Sequence, residues 1–157
     1  MTKQVTVLLV DDDEIDREVV KRAFRAHQIA SPIVMAEDGE RALAILRSAE
    51  SDGGIRRPFL VLLDLNMPRM GGLEFLDHLR KDEVLHDSIV FILTTSEAER
   101  DKQAAYQRHA AGYLCKSNLG RGFSDLAEVV QHYTRAVEFP PERRVPSSSG
   151  DPRGSAT

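Results

Sequence analysis

The stretch from Phe59 to Gly72, FLVLLDLNMPRMGG, decides how the rest of the chain is read. Its first five residues are all apolar. A run that short suits a central strand covered on both faces better than a helix. The run stops at Asp64, and the Met-Pro-Arg-Met-Gly-Gly segment that follows has the residues of a turn. Leu73, Leu76 and Leu79 then recur at helical spacing. A strand, a turn opening on a carboxylate and a helix follow one another in this single segment.

The same alternation repeats on both sides. Val5 to Val10 reads as a buried strand, and Asp13 is placed to cap a helix whose apolar positions are Ile15, Val19, Val20, Ala23 and Phe24. Ile33 to Ala36 is a second short strand, and Asp38 precedes a helix with Ala42, Ile45, Leu46 and Ala49 on its inner face. Ser51 to Pro58 reads as a long polar loop. Beyond the central segment, Ile89 to Leu93 is another buried strand, and Ser96 and Glu99 have capping-box spacing for a helix starting there. The inward candidates of that helix, Ala98, Ala105, Tyr106 and Ala110, make a thin face. Tyr113 to Cys115 is a last strand, and Phe123, Leu126, Ala127, Val130, Tyr133 and Val137 line a final helix. The pattern predicts an α/β fold, a doubly wound five-stranded parallel sheet with about five helices joined by right-handed crossovers. From Pro140 the sequence is rich in Pro, Ser, Gly and Arg, so residues 1–139 are expected to form one domain and residues 140–157 a disordered tail.

Composition narrows the function classes. A chain of 157 residues with 41% hydrophobic and 29% charged residues has the makeup of one globular domain. A net charge of −4 gives no electrostatic reason to bind nucleic acid or an anionic membrane. No apolar run approaches the roughly 20 residues that span a bilayer. The single Cys115 excludes an intrachain disulfide, and no Cys/His spacing suits zinc. A cytoplasmic location is the expectation.

In doubly wound sheets the functional crevice lies beyond the carboxyl ends of the strands. The first strand ends at Asp11 and Asp12, the third at Asp64, the fourth at Thr94 and the fifth at Lys116. Taken singly each has a mundane reading: Asp11 to Asp13 a solvated acidic turn, Asp64 a loop starter, Thr94 a strand former, Lys116 an exposed lysine. Taken together, three carboxylates at neighbouring strand ends would repel one another strongly. A divalent cation with a taste for hard oxygen ligands, magnesium above all, relieves that repulsion. An ammonium and a hydroxyl beside such a cation suit a tetrahedral dianion.

With these residues in place the chain resembles the receiver domains of two-component response regulators. The likeness rests on Asp11-Asp12 after VLLV, Asp64 in LLDLNMPRMGG, Thr94 in FILTTS and Lys116 in GYLCK, and it covers residues 5–137. It implies a flavodoxin-like receiver fold with Asp64 as the phosphorylated residue. Asp11, Asp12, Asp64 and the backbone carbonyl of Asn66 would bind Mg2+. Thr94 and Lys116 would bind phosphoryl oxygens, and Thr94 and Tyr113 would form the switch. A narrower likeness is to the small regulators paired with phytochrome-type histidine kinases, carried by the extended loop before the third strand, the LTTS segment and the final helix through HYTRAVEFPP. It implies a sensor histidine kinase as partner, bacteriophytochrome-like, and homodimers through the fourth helix, fifth strand and fifth helix.

The sequence departs from the family at Ser117, where a proline usually follows the lysine. A cis bond to a non-proline residue costs roughly 2.5–4 kcal/mol, so a trans Lys116–Ser117 bond is expected. Gly72 is a second, minor departure, in which the Gly71-Gly72 pair is still expected to make the turn. Ser96, two residues after Thr94, is placed where it would influence an attacking water. The output is expected to be protein contact or phosphorelay, since the tail after Pro140 does not encode a helix-turn-helix unit. A phosphohydrolase of the haloacid dehalogenase type would want an aspartate where this chain has Asn66, which is no proton donor. A pseudo-receiver that binds partners without phosphorylation is opposed by the complete acidic set.

Overall fold

The computed structural model describes residues 4–142. Five strands, β1 (Thr6–Val10), β2 (Ile33–Ala36), β3 (Phe59–Leu63), β4 (Ile89–Thr94) and β5 (Gly112–Cys115), alternate with five helices. These are α1 (Glu14–Ala26), α2 (Gly39–Arg47), α3 (Gly72–Lys81), α4 (Glu99–Gln107) and α5 (Ser124–Ala136). All strand pairs are parallel, in the order β2-β1-β3-β4-β5. None of the described helices is long and apolar enough to cross a membrane.

Successive strand residues point to opposite faces, and that divides the core in two. On one side Val61, Leu63, Val90 and Ile92 pack with Leu43, Leu46, Phe75, Leu76 and Ala105 of α2, α3 and α4. On the other side Leu60, Leu62, Phe91 and Leu93 pack with Val20, Phe24, Leu126 and Val130 of α1 and α5. Every residue of β3 is buried, while all four residues of the edge strand β5 are half-buried, as a two-sided apolar run and a short edge strand respectively require. The chain passes from β1 to β2 on one side and returns to β3 on the other, so the order reverses between β1 and β3, where a ligand crevice is expected.

Several local expectations need correction. Ile15 is 75% exposed. At 100° per residue it lies far around α1 from the buried Val20 and Phe24. Tyr106 is 51% exposed, because Ala105 alone among the residues of α4 is fully buried. Ala49 falls beyond the end of α2, which is Arg47, and caps a short 3-10 turn at Glu50–Asp52. The Ser96/Glu99 capping box does not form: α4 begins at Glu99 with Ala98 as its uncapped N-terminal neighbour. The Ser96 hydroxyl instead hydrogen-bonds to the Asp101 carboxylate.

Pro140 to Glu142 belong to the described chain: they line a groove with Val5, Arg57 and Pro58, and Glu142 pairs with Arg56 at 3.5 Å. The rest of the segment for which disorder is expected, 143–157, lies outside the described residues. Among the described residues Arg57–Pro58 is the one cis bond, so Lys116–Ser117 is trans as expected.

Candidate functional site

Strand register builds the site. Val10 pairs with Leu63, so the next residues, Asp11 and Asp64, emerge side by side at the switch point. The Asp64 N–H still donates to the Val10 carbonyl (2.9 Å), and the Asp11 N–H donates to Ala36 (3.0 Å). Both backbones are therefore held by the sheet while their side chains leave it. Asp13 then caps α1, accepting from the N–H groups of Ile15 (2.9 Å) and Asp16 (3.2 Å), and this turn leaves Asp12 exposed at the rim. Arg17 of α1 donates to the Asp11 carbonyl at 2.7 Å and steadies the turn.

Carboxylate oxygens of Asp11, Asp12 and Asp64 lie within 4.8 Å of one another. Asp11 is fully buried and Asp64 nearly so. Lys116 follows β5 directly, and its ammonium crosses the notch to donate to Asp11 (2.8 Å), Asp16 (2.7 Å) and Asp64 (3.1 Å). Burial alone would lower the ammonium's pKa, but its hydrogen bonds to the Asp11 and Asp16 carboxylates hold it above its ordinary value. The balance is opposite for Asp11: burial pushes its carboxyl up, and Lys116 with the Asp13 N–H only partly offsets this. One lysine does not neutralise this cluster. Three convergent hard oxygen donors, one of them a buried carboxylate short of counter-charge, fit a hard divalent cation.

Around the acidic notch, Asn66 is exposed and its N–H donates to the second Asp64 oxygen at 3.2 Å. Thr94 is fully buried and accepts from the Ser96 N–H at 3.4 Å. Tyr113, half-buried beside the α4 side of the core, donates its hydroxyl to the Ser96 carbonyl at 2.9 Å. Its phenol is raised by burial and so remains a donor at neutral pH. Ser96 is thus held through its N–H, its carbonyl and its hydroxyl, and the hydroxyl faces Asp101 rather than standing free for a water.

Gly72 is more consequential than a flexible turn residue. A Cβ there would stand 2.4 Å from the Asp64 carbonyl oxygen and 2.8 Å from Leu65 Cα. The first turn of α3 therefore lies directly on the backbone that carries Asp64. The preceding loop is tied to the neighbouring helix by the Gly39 N–H donating to Met70 (3.1 Å) and by Arg69 donating to Asp38 (2.8 Å), the residue that caps α2.

Asp16 is the site residue that reading for strand ends misses. It lies four residues before the buried Val20, at the head of the inward stripe of α1, and that placement is the signal that would have found it.

A model of the response regulator receiver domain matches residues 7–128. The chain belongs to this family. This receiver is 35% identical over 125 residues to the response regulator Rcp1 of a Synechocystis strain, covering 80% of its own length and 83% of that protein. The crystal structure of Mn(2+)-bound Rcp1 superposes with a TM-score of 0.76 at 29% identity, over 87% of this chain and 99% of that one. The phosphorylated cyanobacterial phytochrome response regulator RcpA superposes with a TM-score of 0.77 at 28% identity, over 88% of this chain and all of that one. The family and the flavodoxin-like fold expected from the sequence are both borne out, and so is the narrower likeness to phytochrome-associated regulators. Receivers bind a divalent cation at an acidic pocket of the kind formed here by Asp11, Asp12 and Asp64.

Proposed function

We propose that this receiver accepts a phosphoryl group on Asp64 and signals through the resulting change in conformation. The observation that carries the proposal is the convergence of three carboxylates and one ammonium at the switch point of the sheet. A carboxylate oxygen of Asp64 forms a bond to phosphorus. The bond from phosphorus to the donor breaks, and its electron pair leaves with the donor. Hydrolysis returns the carboxylate: water adds to phosphorus, the bond to Asp64 breaks, and inorganic phosphate departs. Asp11, Asp12 and Asp64, with the Asn66 backbone carbonyl, would hold Mg2+. Bound magnesium would supply charge neutralisation for the carboxylates and the phosphoryl oxygens.

Lys116 supplies N–H donors to the phosphoryl oxygens, and Thr94 supplies its hydroxyl once that hydroxyl turns toward Asp64. Because the Ser96 N–H bonds to Thr94 and the Ser96 carbonyl accepts from Tyr113, movement of Thr94 is felt at Tyr113 and α4. This arrangement supports Thr94 and Tyr113 as the switch. The phosphoryl donor is a sensor histidine kinase, and similarity to Rcp1 and RcpA favours a phytochrome-type one. Output is by protein contact or phosphorelay, with homodimers through α4, β5 and α5, in the cytoplasm. The test is intact mass after incubation with acetyl phosphate. Wild type gains one phosphoryl group only with magnesium, and Asp64→Asn gains none. A wild type that gains none, or a mutant that gains one, overturns the proposal.

A further inference from the structure

The ammonium of Lys116 has three N–H donors, and three carboxylates take them. Asp11 and Asp64 belong to the acidic notch itself. The third acceptor, Asp16, enters from the first turn of α1 and makes the shortest of the three contacts, 2.7 Å. Little in the local backbone otherwise fixes Lys116. It follows a half-buried edge strand, opens a 3-10 turn, and carries a flexible four-carbon stem. Asp16 is itself well held: its N–H bonds to the Asp13 cap, and its helix packs on the sheet through Val20 and Phe24.

We propose that Asp16 is a positioning residue for Lys116. It anchors the ammonium from the α1 side, so that a phosphoryl group arriving on Asp64 meets a cation already in place. This rests on the phosphoacceptor reading of Asp64. When Asp11 and Asp64 engage a cation and a phosphoryl group, two of the three N–H donors are released toward phosphoryl oxygens and the third stays on Asp16. Acting directly, the Asp16 carboxylate would repel a phosphoryl dianion. It assists only through Lys116, and that fixes the sign of a double-mutant test.

Beryllofluoride, which mimics an acyl-bound phosphoryl group, is titrated with magnesium into wild type, Asp16→Asn, Lys116→Ala and the double variant, and binding is followed by 19F NMR. Asp16→Asn is expected to weaken binding about tenfold in the wild-type background, within the coupling range of residues sharing one ion-pair network. In the Lys116→Ala background the same change leaves binding unaltered or strengthens it. An equal loss in both backgrounds, or no loss in the wild-type one, overturns the assignment of Asp16 alone. A wild type that binds no analogue overturns the phosphoacceptor reading and this inference with it. Without any ligand, the 1H–15N signal of the Lys116 ammonium is expected to be protected in wild type and lost to solvent exchange in Asp16→Asn at unchanged melting temperature. A signal that survives the substitution refutes the anchor directly.

Discussion

Replacing Gly72 by alanine sets two effects against each other, and the structure says which prevails. Helix propensity favours alanine over glycine by up to about 1 kcal/mol within a helix, and Gly72 is the first residue of α3. Against this, the new methyl would lie 2.4 Å from the Asp64 carbonyl oxygen and 2.8 Å from Leu65 Cα. Both neighbours are backbone, so no rotamer change relieves the overlap. An ordinary carbon–oxygen contact of about 3.3 Å requires α3 and the Asp64 backbone to separate by roughly 0.9 Å. Overpacking costs about 1–3 kcal/mol, and a 2.4 Å overlap with backbone falls in the upper half of that range, which leaves a net loss of roughly 1–2 kcal/mol after a propensity gain of about 1 kcal/mol. With a urea slope of about 2 kcal/mol/M, the unfolding midpoint falls by about 0.5–1 M. Because the displaced backbone carries Asp64, magnesium affinity and phosphoryl uptake fall as well. Gly71→Ser is the control: it sits at the helix N-cap with extended backbone, its Cβ would meet the Leu65 carbonyl oxygen at 3.3 Å, a tight contact that a shift of a few tenths of an ångström relieves, and it gains a capping hydroxyl. A Gly72→Ala protein as stable as wild type would show that the packing of α3 on Asp64 is soft, and would refute the reasoning.

Asp38→Ala removes the cap of α2 and the partner of Arg69, and is expected to lower stability by about 1–2 kcal/mol in urea titration at neutral pH. The Arg41 N–H, and after it Arg69, hold the Asp38 carboxyl below its ordinary range. Its contribution is therefore present above the unfolded carboxylate pKa of about 3.9 and is lost as pH falls through the lower folded value, so the variant should show a flatter acid limb. Arg80 donates to the carbonyls of His86, Ser88, Arg108 and His109, tying α3 to both ends of the β4 and α4 segment. Arg80→Ala should cost about 3 kcal/mol and speed amide exchange at the C-terminal end of α4, and Arg80→Lys, lacking the planar fork, should restore little. Magnesium at about 100 times its dissociation constant should stabilise wild type by about 2.7 kcal/mol, an effect that chelation reverses and that Asp64→Asn largely abolishes.

The layout of the sheet was legible because β1, β3 and β4 are continuous apolar runs buried on both faces, a signal that survives any tertiary context. The strand-end rule placed Asp11, Asp64, Thr94 and Lys116 in one neighbourhood for the same reason, since parallel register carries residues after paired strands to the same edge. Less was legible where contacts are made across the chain. Asp16 heads the inward stripe of α1, but its partner is not legible locally, because Lys116 returns beside it only one hundred residues later. Ser96 reads as a cap by spacing alone, but Tyr113 and Asp101 hold the loop elsewhere and α4 starts later. Ile15 and Tyr106 read as core residues by hydrophobicity, yet helical phase turns both outward. Gly72 reads as an accommodating turn residue, although the close approach of α3 to the Asp64 carbonyl makes it a requirement.

The central claim is that phosphoryl transfer ends on Asp64, and chemical trapping tests it most directly. Borohydride reduces an aspartyl phosphate to homoserine, which tandem mass spectrometry places on a single residue. After acetyl phosphate and magnesium, homoserine is predicted at position 64 and nowhere else. Homoserine at Asp11 or Asp12 instead, or at no aspartate while the intact protein still carries a phosphoryl group, would contradict it.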